Sequence, residues 1–481
     1  MTLAHDPQMV VVYDNVNFKD TKRDELLGHT SVMRSLTTAA IVYCPELPPL
    51  GLLQSMHNPT IPLNVEDIYR SPGFGDELSP QISRYLIANA MKGIHLAGVE
   101  RIFEDSDLFP QMPSIQCISN GKTRFWQFGA IMEDEGTIQG TYGVHKSIFL
   151  DQLGLQAPDN PHNSAAPDDF TKRLWLAHGD QLTAHHIRSV KREQIYASRP
   201  FDRRDWLLGV PAWFHIEMNL YNTLVRTHFA PEDKQEEAHH CLRSDMTLWN
   251  RSTITRENAK YHELVPVIER GFMARITALF YAAMERQGFR ISMPDLSEPS
   301  NLDTLPNPSS PECIEDTTRA IGCLTPEQFL NIVDEIQRDA FSRDAWTGVK
   351  HNDVEFRTMC RMLQEVELLL TVRHAVKHAD IGMLRRLVDP LIVFFFGASQ
   401  HNYGREMLFY RWNLTSVNSP ELQHAILSSG LVNWLGAPDR HKAIDLGLEH
   451  LNGSCKIEMK CYKNLTYNIN IIFNWVYLSN I

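Results

Sequence analysis

Met9-Val10-Val11-Val12-Tyr13, followed by Asp14-Asn15, is the stretch from which the fold is read. An unbroken β-branched run with Pro7 before it and an Asp-Asn pair after it predicts a strand buried on both faces that delivers Asp14 at its end. A second tip of this kind follows at 173–178, where an apolar run leads into Gly179-Asp180-Gln181. A third buried segment, 206–214, leads to His215, although Gly209 and Pro211 leave open how much of it is regular strand. Segment 125–132 is also predicted as strand. Helical spacing covers 80–102 and 182–197, then nearly everything from 213 to about 435 (213–229, 236–250, 256–287, 325–345, 353–379, 381–397, 401–413 and 420–430). Region 21–80, rich in proline, reads as loop-rich with no strand placed in it, and 289–324 reads as a linker or surface excursion. A last helix over about 440–460 carries Asp445, Glu449 and His450.

The chain has 481 residues, 43% hydrophobic and 22% charged, with 25 Gly and 26 Pro, which excludes a disordered or fibrous protein. At this length either two or three domains or one domain with a large insertion is expected. The eight cysteines include no CxxC pair, so neither a disulfide framework nor a zinc ribbon is suggested, and a reducing intracellular compartment is expected. No basic segment followed by an apolar core opens the chain, so no signal peptide is read. The most apolar run, 390–396, is much shorter than the roughly 20 residues of a membrane span and is read as buried core.

Several motifs fail on inspection. Gly121-Lys122-Thr123 lacks the earlier glycine of a phosphate loop, since position 116 is Gln. Gly73-Phe74-Gly75 lacks the third glycine of a dinucleotide turn, since position 78 is Leu. His374 and His378 sit one helical turn apart with no third histidine or cysteine placed to complete a metal site. What survives is a set of acids on different elements: Asp14 and Asp180 at strand ends, Glu449 on the last helix. Converging carboxylates suit hard divalent ions, and two such ions roughly 3.5–4 Å apart stabilise the attacking and leaving oxygens of phosphoryl chemistry. Taken singly, Asp14-Asn15 and Gly179-Asp180 are equally ordinary turn residues; their order along the chain favours the functional reading. Asp445, four residues before Glu449, is a second candidate for the helix acid.

The blocks Tyr13-Asp14-Asn15-Val16-Asn17-Phe18, Gly179-Asp180-Gln181-Leu182-Thr183, Trp213-Phe214-His215 and the run from Asp445 through Glu449-His450-Leu451-Asn452 resemble the signature blocks of an uncharacterised domain family expanded in mushroom-forming fungi and also present in animals. The resemblance covers about residues 9–463. The element order is in turn similar to that of the ribonuclease H-like DDE transposases of hAT type. That likeness implies an α+β or α/β fold, a ribonuclease H-like mixed sheet core interrupted by a large all-helical insertion. Core would span 9–215 and 436–463, insertion 216–435, and a divergent tail 464–481. It further implies Asp14, Asp180 and Glu449 as ligands of Mg²⁺ or Mn²⁺, His215 as the histidine after the fifth strand, and transposase-derived cleavage or strand transfer on DNA. No membrane partner is implied; homo-oligomerisation and a nuclear location stay open. The competing expectation is a domesticated interaction protein whose acid cluster is vestigial.

Charge placement bears on the DNA reading. The net charge of -12 argues against a surface built wholly for nucleic acid, yet 171–205 holds eight Lys/Arg against four acids. Lys172, Arg173, Arg188, Lys191 and Arg192 there are the candidate phosphate contacts. A solvated amphipathic helix explains the same excess equally well. The first core strand begins about eight residues into the chain, so no N-terminal zinc finger or helix-turn-helix is expected before it.

Overall fold

The computed structural model of the chain describes residues 6–20, 32–57, 66, 68, 75–156, 170–229, 241–251, 254–255, 260–289, 311–342, 344–345, 347, 353–415 and 418–461. A five-stranded mixed sheet is built from β1 (Met9–Asp20), β2 (Val32–Tyr43), β3 (Arg124–Gln127), β4 (Trp175–Gly179) and β5 (Leu207–Pro211), in the order β3-β2-β1-β4-β5. β1 runs antiparallel to β2 and β2 to β3, whereas β4 is parallel to both β1 and β5. A small antiparallel ribbon joins β6 (Leu431–Val432) to β7 (Lys442–Ala443). The longer helices, in chain order, are α1 (Gly75–Ile94), α2 (Leu96–Phe103), α3 (Ile138–Lys146), α4 (Gln181–Glu193), α5 (Trp213–His228), α6 (Leu242–Leu248), α7 (Tyr261–Arg286), α8 (Pro311–Ile321), α9 (Pro326–Ala340), α10 (Val354–Lys377), α11 (Ile381–Gly397), α12 (His401–Asn413), α13 (Pro420–Ser428) and α14 (Ile444–Cys461).

The chain forms two compact units. One comprises residues 1–71, 114–219 and 372–481 and contains the sheet; the other comprises 72–113 and 220–371 and is helical. This division differs from the expected 9–215, 216–435 and 436–463. Segment 72–113 groups with the helical unit, and 372–435 groups with the sheet. The expected tail, 464–481, lies outside the described residues.

In the sheet unit, alternation along β1 sorts its side chains onto two covered faces. Met9, Val11 and Tyr13 join Ile41, Phe149, Phe170, Trp175 and Trp206 in a core where the Phe149 and Phe170 rings lie 4.7 and 4.9 Å from Trp206. Val10, Val12, Asp14 and Val16 point the other way, toward α14, which packs on β1, β2 and β4. Because both faces are covered, β1, β4 and β5 read as continuous apolar runs. Pro211 is tolerated because β5 is an edge strand. Gly209 lets α4 close on the sheet, since a Cβ there would sit 3.0 Å from Ile187 Cδ1 and 3.2 Å from Ala184 Cα.

In the helical unit, α1 packs on α7 and α9, and α2 on α8. Gly98 permits the second approach, because a Cβ would lie 2.5 Å from the Thr318 carbonyl oxygen. A buried bidentate pair, Arg275 to Asp245 at 2.8 and 3.1 Å, ties α7 to α6.

Several sequence expectations are corrected. Region 21–80 is not all loop, since 32–43 is a twelve-residue strand beside β1. β1 continues to Asp20, so Asp14 lies mid-strand opposite Thr38; it sits just past the point where β4, paired at Val11 and Val12, ends. Of 125–132, only the short β3 is strand; of 206–214, Trp213 already starts α5. The helix expected over 80–102 breaks at His95, whose ring bonds Thr318 and Tyr281 at 2.9 and 2.7 Å. Within the expected linker 289–324, α8 is helical. Segment 390–396 lies in α11, and no helix among the described residues is long and apolar enough to cross a membrane.

Candidate metal centre

The site is assembled in the sheet unit by one face of α14. Asp445, Glu449 and Asn452 are spaced four and three residues apart and so share that face. Asn452 Oδ1 accepts from Thr38 Oγ1 at 2.6 Å, which fixes the helix against β2 directly opposite Asp14. Asp445 accepts the backbone N–H groups of Phe214 and His215 at 3.1 and 3.0 Å and meets His215 Nδ1 at 2.9 Å. It therefore caps α5, satisfying donors that the first turn of a helix leaves unpaired. Glu449 lies between these two anchors.

Asp14, His215 and Glu449 each bring a ligand atom to one place, all within 4.8 Å of one another. Nδ1 of His215 is occupied by Asp445, which leaves Nε2 for the cluster. The Asp14 and Glu449 carboxyls face each other within this trio. Burial raises the Asp14 pKa well above its usual value; the bond to Glu449 and the charges of Glu449 and Asp180 add to this, and the charge of His215 opposes it. Burial alone would lower the pKa of His215, but its bond to Asp445 and the charges of Asp445, Asp14 and Asp180 outweigh that and raise it to about 10. The imidazolium thus supplies positive charge to a site otherwise crowded with carboxylates.

Asp180 caps α4, its Oδ1 accepting from Thr183 N at 2.7 Å. It is outside the tight trio, yet its charge is felt by Asp14 and His215. A further acid was not foreseen from the sequence. Glu135 is buried at 4% exposure, with Oε2 accepting from Thr183 Oγ1 at 3.3 Å. Its carbonyl is held by His186 Nδ1 at 2.8 Å and Thr141 Oγ1 at 3.1 Å. Burial, with the charges of Asp14 and Asp180, raises its pKa well above the usual range. A local signal exists in the acidic run Glu133-Asp134-Glu135, because Asn15 of the first block bonds Asp134 Oδ1 at 3.0 Å and docks that turn beside Asp14.

The basic candidates are placed unevenly. Lys172 and Arg192 are exposed. Arg173 donates to the Asp6 carbonyl at 3.1 Å and covers the Trp175 ring at 5.1 Å. Arg188 pairs with Glu406 and lies 4.0 Å over Phe409. Lys191 is partly buried, which lowers its pKa to about 8. Away from the site, His374 and His378 stack at 4.0 Å, and His378 Nδ1 meets Asp439 at 2.5 Å.

No curated protein matches the chain, and no solved structure does. A family model does match, over residues 60–470, which takes in α14 and the elements that carry Glu135, Asp180, His215 and Glu449. The chain therefore belongs to the family of unknown function DUF6589.

Proposed function

We propose that this acid cluster holds one or two divalent metal ions and that the domain is a transposase-derived, ribonuclease H-like enzyme cleaving or joining phosphodiester bonds of DNA. The observation that carries the reading is the joint placement of Asp14, His215 and Glu449, with ligand atoms within 4.8 Å, at the end of a parallel β1–β4 pair whose next residue is Asp180. The sheet order β3-β2-β1-β4-β5, with antiparallel β1 to β3 and parallel β1, β4 and β5, supports the ribonuclease H-like part of the proposal.

The donor set fits the proposed ions. Carboxylate oxygens suit Mg²⁺ and Mn²⁺, and the His215 imidazolium, its pKa raised to about 10, lends positive charge and no donor atom. The facing carboxyls of Asp14 and Glu449 mark a place where a cation relieves like-charge repulsion. Asp14 and Glu449 would hold an ion, Asp180 and Glu135 would flank it, and Asp445 fixes the His215 ring. When bound, such ions stabilise charge on the attacking and leaving oxygens of a phosphoryl group. The helical unit and segment 372–435 would together form the insertion between the second Asp and the final Glu. Nuclear DNA would be the substrate.

The test is cleavage of supercoiled plasmid and duplex oligonucleotide by the purified chain with Mg²⁺ or Mn²⁺, against EDTA and the Asp14→Asn and Asp180→Asn variants. Metal-dependent cleavage lost in both variants is expected. Metal-independent cleavage, or none with either ion, sinks the enzymatic reading and leaves the interaction protein with a vestigial acid cluster.

A further inference from the structure

Helices α4 (Gln181–Glu193) and α12 (His401–Asn413) pack together in the sheet unit. Arg188 fixes their join: it pairs with Glu406 and covers the Phe409 ring, its guanidinium carbon 4.0 Å from the ring centroid. On α4, His185, Arg188 and Arg192 are spaced three and four residues apart and so share one face. On α12, Asn402, Arg405 and Phe409 repeat that spacing. The Arg188–Phe409 contact therefore joins the two faces into one surface. Arg192 and Arg405 are exposed there, and the apolar Phe409 ring is 41% exposed. Arg405 donates to the neutral Asn402 Oδ1 at 2.6 Å. The acids of the two helices leave the surface positive. Glu406 is buried and answered by Arg188, whereas Glu193 is turned about 100° from Arg192 around the helix.

We propose that this surface holds one strand of nucleic acid, with phosphates on Arg188, Arg192 and Arg405 and a base stacked on Phe409. That the strand is DNA rests on the function proposed above. A solvated helix face accounts for the arginines, but not for a large exposed apolar ring held among them by a guanidinium. Cations in a row with an exposed aromatic ring match a polyanion whose every base has a π-face. The row also runs toward the proposed site. Asp180 is the N-cap of α4, and Arg188 and Arg192 follow it by about 12 and 18 Å along the helix axis.

The test is binding of a fluorescein-labelled oligothymidylate, read by anisotropy in EDTA over a range of salt, so that no metal enters the measurement. For single strands the slope of log affinity against log salt changes by about 0.7 for each phosphate contact. Arg192→Gln and Arg405→Gln should each reduce the slope by about that amount, and Phe409→Leu should weaken binding by roughly 5- to 100-fold at unchanged slope. Lys146→Gln, at an exposed position of α3 outside this surface, should bind as wild type does. Because the altered side chains are exposed, all four variants should melt with the wild type. Unchanged slope and affinity in the Arg192→Gln/Arg405→Gln double variant overturns the surface, as does an equal loss in Lys146→Gln. Full affinity in Phe409→Leu overturns the stacking. A wild-type chain that binds no oligothymidylate in EDTA overturns the proposal even if it cleaves DNA. Binding with the expected pattern but without metal-dependent cleavage supports the surface and refutes only the catalytic reading.

Discussion

Asp14→Asn should stabilise the metal-free protein at alkaline pH while abolishing its response to divalent ions. In the wild type, burial, the bond to Glu449 and the charges of Glu449 and Asp180 raise the Asp14 pKa against the opposing charge of His215. The pKa of Glu135 is raised too, by burial and by the charges of Asp14 and Asp180. Above the unfolded carboxylate value of about 4, the folded state therefore binds more protons than the unfolded one. The associated stability is fully present below that value and is lost as pH rises through the folded value, at about 1.4 kcal/mol per pH unit for each proton. Asparagine has no proton to lose, and its amide can donate to Glu449. The variant should lack one proton's share of the slope and melt above wild type at pH 8 in EDTA, by on the order of 1–2 °C for each kcal/mol in a chain of this size. Saturating Mg²⁺ should reverse the order. At 100 times Kd it adds about 2.7 kcal/mol to the wild type, and it should add nothing to the variant. Scanning calorimetry from pH 5 to 8.5, with EDTA or Mg²⁺, reads all four conditions. If Asp14→Asn melts lower than wild type in EDTA at pH 8 and gains the same increment from Mg²⁺, the account of a raised Asp14 pKa and a metal held there is wrong.

Other substitutions probe the supporting structure. Asp445→Asn keeps an acceptor for the N–H groups of Phe214 and His215 but removes the charge that holds His215 protonated; an NMR titration should find that imidazole well below its wild-type value of about 10. The linked stability, present below the ordinary histidine pKa and lost as pH rises through about 10, should shrink with it. Glu135→Gln should weaken Mn²⁺ binding by roughly 10- to 100-fold in a calorimetric titration, as loss of an outer-shell partner does; unchanged affinity would remove Glu135 from the site. Gly209→Ala should cost about 1–3 kcal/mol in urea unfolding, because its Cβ would press on Ala184 and Ile187 of α4. Trp206→Ala should cost about 3–5 kcal/mol by the same assay, since its ring joins Phe149, Phe170 and Phe201 in the core.

The elements legible in the sequence are those whose signal is local. β1, β4 and β5 are covered on both faces, so their apolar runs stand out against turn residues. β2 is hidden because its buried positions include Thr37 and Thr38. Their hydroxyls are satisfied by the Glu133 carbonyl at 2.8 Å and by Asn452 Oδ1 at 2.6 Å, partners 96 and 414 residues away. A strand whose polar groups are paired only across the fold has no local hydrophobic signature. Glu135 escaped notice for the same reason, since its burial depends on the docking of a turn against Asn15, Thr183 and His186.

The choice between Asp445 and Glu449 as the helix acid shows what geometry adds to spacing. Both lie on one face of α14, so periodicity treats them alike. Their partners do not. Asp445 accepts from two backbone N–H groups and from an imidazole, so recruiting it to an ion would uncap α5 and release His215. Glu449 instead faces another acid, Asp14, where a cation relieves like-charge repulsion. One helix face thus divides its work: the first acid builds the histidine's position, the second stays available for a ligand, and Asn452 sets the register that makes both possible. Shifting that register by one residue would turn all three side chains by about 100° around the helix. The integrity of the site is therefore bound to the Thr38–Asn452 bond as closely as to the acids themselves.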